Sequence, residues 1–353
     1  MMNFCTLYDS NYISKGLALY LSIAKYTDDF TMYVMAMDRK CQEMLNALAF
    51  KHVVVDCIED IDDPKLVEAK GNRSRAEFCW TCGSYTTDFF LNKYKLPDIT
   101  YLDSDLMFFC SPQLVFDELE AVNASVGLTP HFTKNPLFGR YCVQYVYFKN
   151  DKDGSECLRW WRDECLKWCY SRVEDGKYGD QKYLDYFAEK FGHVHDIENR
   201  GVGIAYWNMD YHRFAEGKVF YKGQKWPQVF FHYSGFNVKV EDNVMTFRHT
   251  MYITPNIRRT FVEPYAELMK EVFTKYLKTP ISLVVITPLN SWNYAAKTII
   301  HYLNKFLPID WCIEQVMKVK YKESHKPYSE RGWKWISRSS KTVTSSLEDS
   351  DWS

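Results

Sequence analysis

"ITYLDSDLMFF" (Ile99–Phe109) sets two carboxylates one residue apart inside an otherwise apolar run. An unpaired charge inside a core is costly, so Asp103 and Asp105 must either leave the core or meet a counter-charge. The segments upstream say which. "NFCTLY", "TMYVMAM" and "HVVVD" are apolar runs of strand length, separated by patterns of helical period. Leu17, Tyr20, Leu21 and Ala24 follow the first run at helical spacing. Asp38 then serves as an N-cap for a helix with Cys41, Met44, Leu45 and Leu48 on one face. Asp63-Pro64 reads as an N-cap with proline at the first helical position, and a long helical stretch runs from about Arg75 to Tyr94. Strands separated by helices predict a parallel, doubly wound α/β sheet, with the quoted run as its fourth strand. Sheets of this kind bind ligands outside the carboxyl ends of their strands, where the strand order reverses. The two aspartates follow "ITYL" and so fall where a cleft begins.

Composition supports a globular chain. The 353 residues are 46% hydrophobic, enough for one large domain or a domain with a smaller helical cap. The 44 basic and 45 acidic residues leave a net charge of −1, so no overall field recruits nucleic acid. The 11 cysteines are scattered, several within apolar runs (Cys57, Cys110, Cys142), which suits a reducing compartment. "MMNFCTLYDSNY" has no basic segment followed by an apolar one, so no secretory signal is expected. Apolar stretches such as "ISLVVI" fall far short of the roughly 20 residues a membrane span needs. The expected location is cytoplasmic.

The second half is less regular. "ASVGL" and "VQYVYF" read as short strands, "CLRWWRDECLKW" as a helix, and another helix opens at Asp180. "GVGIAYW" and "QVFFHYSGF" read as strands. The expected organisation is a first domain over 1–255. A helical extension follows over 256–321, built from "EPYAELMKEVFTKYL", "NYAAKTIIHYLNKF" and "DWCIEQVMKVKY". Residues 322–353 form a basic and aromatic, then serine-rich and acidic tail, expected to be disordered.

Alternate residues of a strand point to one side, so Asp103 and Asp105 can converge on one hard cation if the strand bends or ends between them, while Ser104 faces away. Two carboxylates under-fill the octahedral oxygen site of Mg²⁺ or Mn²⁺, and substrate phosphates commonly complete it, so a phosphate-bearing substrate is implied. "VFFHYSGF" ends an apolar run in His232, a ligand type suited to such ions, and the Ser-Gly turn with Gly235 lets backbone approach a phosphate. "GDQKYLDYF" places Asp180 as an N-cap and leaves Gln181 free to face a cleft.

Together these elements resemble metal-dependent glycosyltransferases of the GT-A fold, most closely the glycogenin-like, retaining group that uses nucleotide-sugar donors. The matching motifs are the first strand ending in Thr6, Tyr8 and Asp9, then "YLDSD" as the D-x-D motif, "DQ" at Asp180 and Gln181, "GVGIAYWNM", and "HYSG". The resemblance covers residues 1 to about 240. It implies a doubly wound mixed sheet, with Mn²⁺ or Mg²⁺ held by Asp103, Asp105 and His232. It implies that Gln181 lies near the anomeric carbon, with Asp180 close to the sugar or to a neighbouring base, and that residues 1–255 are a catalytic domain with nucleotide-sugar binding in the first half and the acceptor side in the second. It implies a nucleotide-sugar pocket lined by Thr6, Tyr8, Asp9, Ser104, Gly235 and residues of the helix before the motif, for which Arg73, Arg75, Trp80 and Thr81 are the candidates. Two motifs depart from the family. Lys239 follows the histidine motif without the usual proline, and "VQYVYF" replaces the family's N-x-G, leaving Gln144 as a substitute acceptor contact.

The function implied is transfer of a sugar from a nucleoside-diphosphate donor, a UDP-sugar first among them, to a glycan or lipid-linked acceptor in surface polysaccharide assembly, with retention. Inversion is the alternative and would need a carboxylate base across the sugar. A sugar-phosphate nucleotidyltransferase would want a Gly-rich basic loop after the first strand, which "YDSNYISKG" does not supply. A non-catalytic binding protein would not need Asp103, Asp105 and His232 intact. "CWTC" (Cys79–Cys82) has thiol-redox spacing but lies within a helical stretch rather than at a helix start. The Lys, Arg, Tyr and Trp of "KVKYKESHKPYSERGWKWISRSSK" suit peripheral contact with an anionic membrane.

Overall fold

A computed structural model describes residues 1–132, 138–249 and 253–288. The chain lays down β1 (Met2–Tyr8), α1 (Ile13–Ala24), β2 (Phe30–Ala36), α2 (Arg39–Leu48), β3 (Val53–Cys57), α3 (Pro64–Asn72), α4 (Arg75–Lys93) and β4 (Asp98–Leu102). There follow β5 (Leu106–Phe108), α5 (Gln113–Ala121), β6 (Val126–Pro130), β7 (Tyr141–Lys149), α6 (Lys152–Lys167) and β8 (Val194–Asp196). Local chemistry starts the helices where the sequence places them. Asp38 accepts the Cys41 N–H at 2.7 Å, and Asp63 accepts the Lys65 N–H at 2.9 Å with Pro64 in the first turn. Ser74 and Glu77 close a reciprocal capping box on α4.

Seven strands form one sheet in the order β3-β2-β1-β4-β7-β6-β8. The pairs β3-β2, β2-β1 and β1-β4 are parallel, whereas β7 runs antiparallel to both β4 and β6. The sheet is therefore mixed, within the doubly wound α/β class the sequence predicts. Every residue of β1 is buried, as expected of a central parallel strand covered on both faces. The chain winds outward from β1 through β2 to β3 and then returns to place β4 on the other side of β1. The strand order thus reverses between β1 and β4, and the carboxyl ends of those strands open on one switch point.

On one face α4 and α6 pack together over a core that includes Phe90, Phe148, Trp161 and Phe187. Trp161 is fully buried and its Nε1–H donates to the Asp180 carbonyl at 2.9 Å, which satisfies the indole and anchors the segment ahead of Gln181.

Three readings of the sequence need correction. "ITYLDSDLMFF" is two strands in different sheets, because β4 stops at Leu102 and β5 starts at Leu106. Asp180 opens a 3₁₀ turn (Gln181–Tyr186) rather than an α-helix, and its side chain makes no capping bond. "GVGIAYW" contains only the short strand β9 (Ile204–Ala205), and "QVFFHYSGF", after the antiparallel set β10 (Arg213–Ala215), β11 (Lys218–Tyr221) and β12 (Gln224–Pro227), contains β13 (Phe230–His232) and the first residue of a separate strand, Phe236–Glu241.

Met1–Ser234, Val240–Met245 and Ile253–Val284 form one compact unit. In it, residues 255–276 are helical and pack on α1. Gly235–Lys239 and residues 246–249 and 285–288 belong to a second unit, where Phe236 packs against Phe247 with ring centroids 5.1 Å apart. The two later helices expected after Pro288 and the basic tail lie outside the described residues. Among the described residues no helix is long and apolar enough to cross a membrane.

Candidate metal centre

The end of β4 delivers the two aspartates to the switch point. The Asp103 N–H donates to the Gln144 carbonyl of β7 at 3.1 Å, and the Asp105 carbonyl accepts the Tyr233 N–H at 2.9 Å. Between these anchors the chain turns out of the main sheet and into a small one, ordered β5-β13-β9. In that sheet His232 pairs with Leu106 on one side and with Ala205 on the other. Register therefore sets His232 next to Asp105. Its Nε2 lies 3.0 Å from Asp105 Oδ1 and 3.6 Å from Asp103 Oδ2.

The "YWN" segment after β9 walls the histidine. The Trp207 ring meets the His232 ring edge-on at 5.5 Å, and its Nε1–H donates to the His131 carbonyl at 3.2 Å. Asn208 fixes the loop. Its Nδ2 donates to the His131 and Gly203 carbonyls at 2.9 and 2.8 Å, and its Oδ1 accepts the Ala205 N–H at 2.9 Å.

The electrostatics are polarised. Burial, with Cys142 and Asp105 adding negative charge, pushes the Asp103 carboxyl up to about 7 against the pull of His232. Burial would raise Asp105 too, but the Lys15 ammonium and the His232 imidazole outweigh it and hold that carboxyl well below the usual range. Burial opposes a charge on His232, yet Asp105 raises it well above an ordinary imidazole. Asp180 is pushed well up by its burial and then by the negative charge of Asp103.

One ligand atom each from Asp103, Asp105 and His232 lies within 4.8 Å of the other two. Two carboxylate oxygens and an imidazole nitrogen are a donor set suited to Mn²⁺ or Mg²⁺. Among the described residues, Lys15 and His232 are the basic side chains that pair with the two carboxylates. The residues present thus fit a divalent cation.

The other sequence-predicted residues sit as follows. Thr6, Tyr8 and Asp9 occupy the carboxyl end of β1, all buried, and Asp9 pairs with Arg75. Ser104 is half-buried in the turn between the aspartates. Arg73 donates to Thr81 Oγ1 and, at 2.6 Å, to the Leu166 carbonyl, while Thr81 is fully buried within α4. Trp80 packs beside Tyr178 with ring centroids 6.3 Å apart. The Gln181 Nε2 donates to the Phe138 carbonyl at 2.8 Å. Gly235 and Lys239 belong to the second unit. Gln144 is wholly buried, and among the described residues neither of its amide atoms has a partner.

Sequence reading missed Lys15, Tyr101 and Cys142. The Lys15 Nζ donates to Asp105 Oδ2 at 3.3 Å, and the Tyr101 hydroxyl donates to Asp103 Oδ1 at 3.2 Å. Cys142 faces His131 and His232, which draw its thiol down to about 6 although burial opposes this. Only Lys15 left a signal: a charge in a helix whose other positions are apolar or small. The "CWTC" thiols behave in the opposite way. Burial pushes Cys79 up to about 11 and Cys82 well above its usual value, the reverse of what a redox thiolate requires.

No family model matches the chain. In structure it is similar to galactosyltransferase LgtC, solved with donor and acceptor sugar analogues, at a TM-score of 0.49 and 13% identity, covering 76% of this chain and 95% of that one. It is also similar to the glycosyltransferase GlyE of Streptococcus pneumoniae TIGR4, at a TM-score of 0.45 and 16% identity over 80% of this chain and 65% of that one. In sequence it is 30% identical over 251 residues to the uncharacterized protein YfnD of Bacillus subtilis (strain 168), across 68% of this chain and 79% of that protein. With YfnF of the same organism the identity is 31% over 248 residues, across 67% of this chain and 82% of the relative. At that identity and coverage, the chain belongs to the family of the Bacillus subtilis protein YfnF.

Proposed function

We propose that the protein is a metal-dependent glycosyltransferase of the GT-A kind, similar to the glycogenin-like group, that moves a sugar from a UDP-sugar to a glycan or lipid-linked acceptor with retention. One observation carries this reading: Asp103, Asp105 and His232 converge at the switch point between β1 and β4. A hard-cation donor set at the carboxyl ends of these strands suits a phosphate-bearing ligand.

Asp103, Asp105 and His232 would hold Mn²⁺ or Mg²⁺, which supplies Lewis acidity to the departing diphosphate. The chain's own residues do the rest. Thr6, Tyr8, Asp9 and Ser104 would line the nucleotide side, joined by Arg73, Arg75, Trp80 and Thr81. Arg75 is paired with Asp9 and half exposed, so its guanidinium can turn to a phosphate or ribose without leaving a core. Gln181 would lie near the anomeric carbon, and Asp180, whose carboxyl is pushed well up by burial and by neighbouring Asp103, would hydrogen-bond a sugar hydroxyl. With retention, the acceptor hydroxyl attacks on the face the diphosphate leaves, its proton passing to a departing phosphate oxygen. A cytoplasmic location, membrane contact through the tail and a role in surface polysaccharide assembly complete the proposal.

The test is release of sugar from a panel of nucleotide-sugars with Mn²⁺. Asp103→Ala and Asp105→Ala should each abolish it, as should excess chelator. Release that survives either substitution and the chelator would overturn the reading.

A further inference from the structure

A lysine is rarely buried without a partner, and Lys15 is 7% exposed. Its place is set by α1, which is buried on nearly every face and pinned to β5 where Ser22 Oγ accepts the Phe108 N–H at 3.0 Å. The helix therefore lies directly against the strand that leaves the aspartate turn. Lys15 Nζ donates to Asp105 Oδ2 and sits 4.4 Å above the Tyr12 ring centroid. Asp105 is thus shared between two cationic groups, Oδ1 facing His232 and Oδ2 facing Lys15. The Lys15 arrangement restrains Asp105 to offer Oδ1 inward. An ammonium has three N–H groups, so the carboxylate and the ring leave one direction for a further acceptor.

We propose that Lys15 is a second cation of this centre, which lends its charge to the diphosphate of the donor. The proposal rests on the reading that the site takes a nucleoside-diphosphate sugar. Its physical content is a pair of opposite signs. A fixed ammonium a few ångströms from the cation site repels a divalent ion but attracts a diphosphate. Removing it should tighten metal binding and weaken diphosphate binding, whereas a lysine that merely fills space would lower stability and leave both affinities alone.

The experiment uses the full chain, with Mn²⁺ affinity read by electron paramagnetic resonance and UDP affinity by calorimetry at saturating Mn²⁺. Lys15→Met should bind Mn²⁺ about threefold or more tightly than wild type, and UDP about tenfold more weakly. Lys15→Arg should restore most of the UDP affinity. Lys15→Gln repeats the test if the methionine variant fails to fold. Unchanged or weaker Mn²⁺ binding, or UDP binding within about twofold of wild type, would overturn the assignment. If wild-type protein binds Mn²⁺ but not UDP, the glycosyl-transfer reading falls instead, and the Mn²⁺ comparison still judges Lys15 as a neighbour of the metal.

Discussion

Asp105 meets His232 and Lys15 at once, and Asp103 shares the first of them, so the metal-free centre is held together by protons as well as by geometry. A cation entering this centre must displace them. Asp103, pushed up to about 7, and His232, raised well above an ordinary imidazole, both bind protons that the metal-bound form cannot keep. The sign follows: the metal-bound form holds fewer protons, so the apparent affinity for Mn²⁺ should rise with pH through about 7, and binding should release protons. Calorimetry in buffers of different ionisation heat measures that release directly. His232→Ala should weaken Mn²⁺ binding by at least about tenfold and flatten this pH dependence. A flat profile in the wild type would contradict the described ligand set. Much of the centre is legible in the sequence at this scale, since aspartates after an apolar strand and a histidine ending another announce themselves by type and place. Lys15 shows only as a lone charge in a helix of apolar or small residues, and its partner could not be named because Asp105 lies in a turn far along the chain.

Elements carry these side chains, and the junction of α1 with β1 shows how tightly. A Cβ built on Gly16 would lie 2.2 Å from the Tyr8 ring, so the ring that closes the carboxyl end of β1 packs where any other residue would put a side chain. Gly16→Ala should push Tyr8 aside and lower stability by about 1–3 kcal/mol, read from chemical denaturation. A variant as stable as wild type would show that the ring has room to move. The same scale explains what the sequence hid. The capped helices α2, α3 and α4 begin where Asp38, Asp63 and Ser74 announce them, because capping is local chemistry. The break at Leu102 is not local. "LMFF" leaves the main sheet because β13 offers it an antiparallel partner, and that strand lies far downstream. Strands of two or three residues such as β9 and β13 carry too little alternation to be bounded from sequence, although their pairing register puts His232 beside Asp105.

At the scale of the whole molecule, two parallel windings outward from β1 and the return to β4 create the switch point, and the alternation of apolar runs with capped helices made that class readable. The antiparallel insertion of β7 was not readable, since a buried strand such as "YCVQYVYFK" is apolar on both faces whichever way it runs. Its consequence is functional. It brings the Gln144 carbonyl against the Asp103 N–H and sets Cys142 and Gln144 behind the aspartates. On the proposed function, this architecture holds one divalent cation between Asp103, Asp105 and His232 and joins it to a nucleoside diphosphate. The direct measurement is the anomalous difference map of crystals grown with Mn²⁺ and UDP. It should show one manganese peak within ligand distance of all three side chains and touching the diphosphate. An ordered diphosphate with manganese elsewhere, or with none, would contradict it.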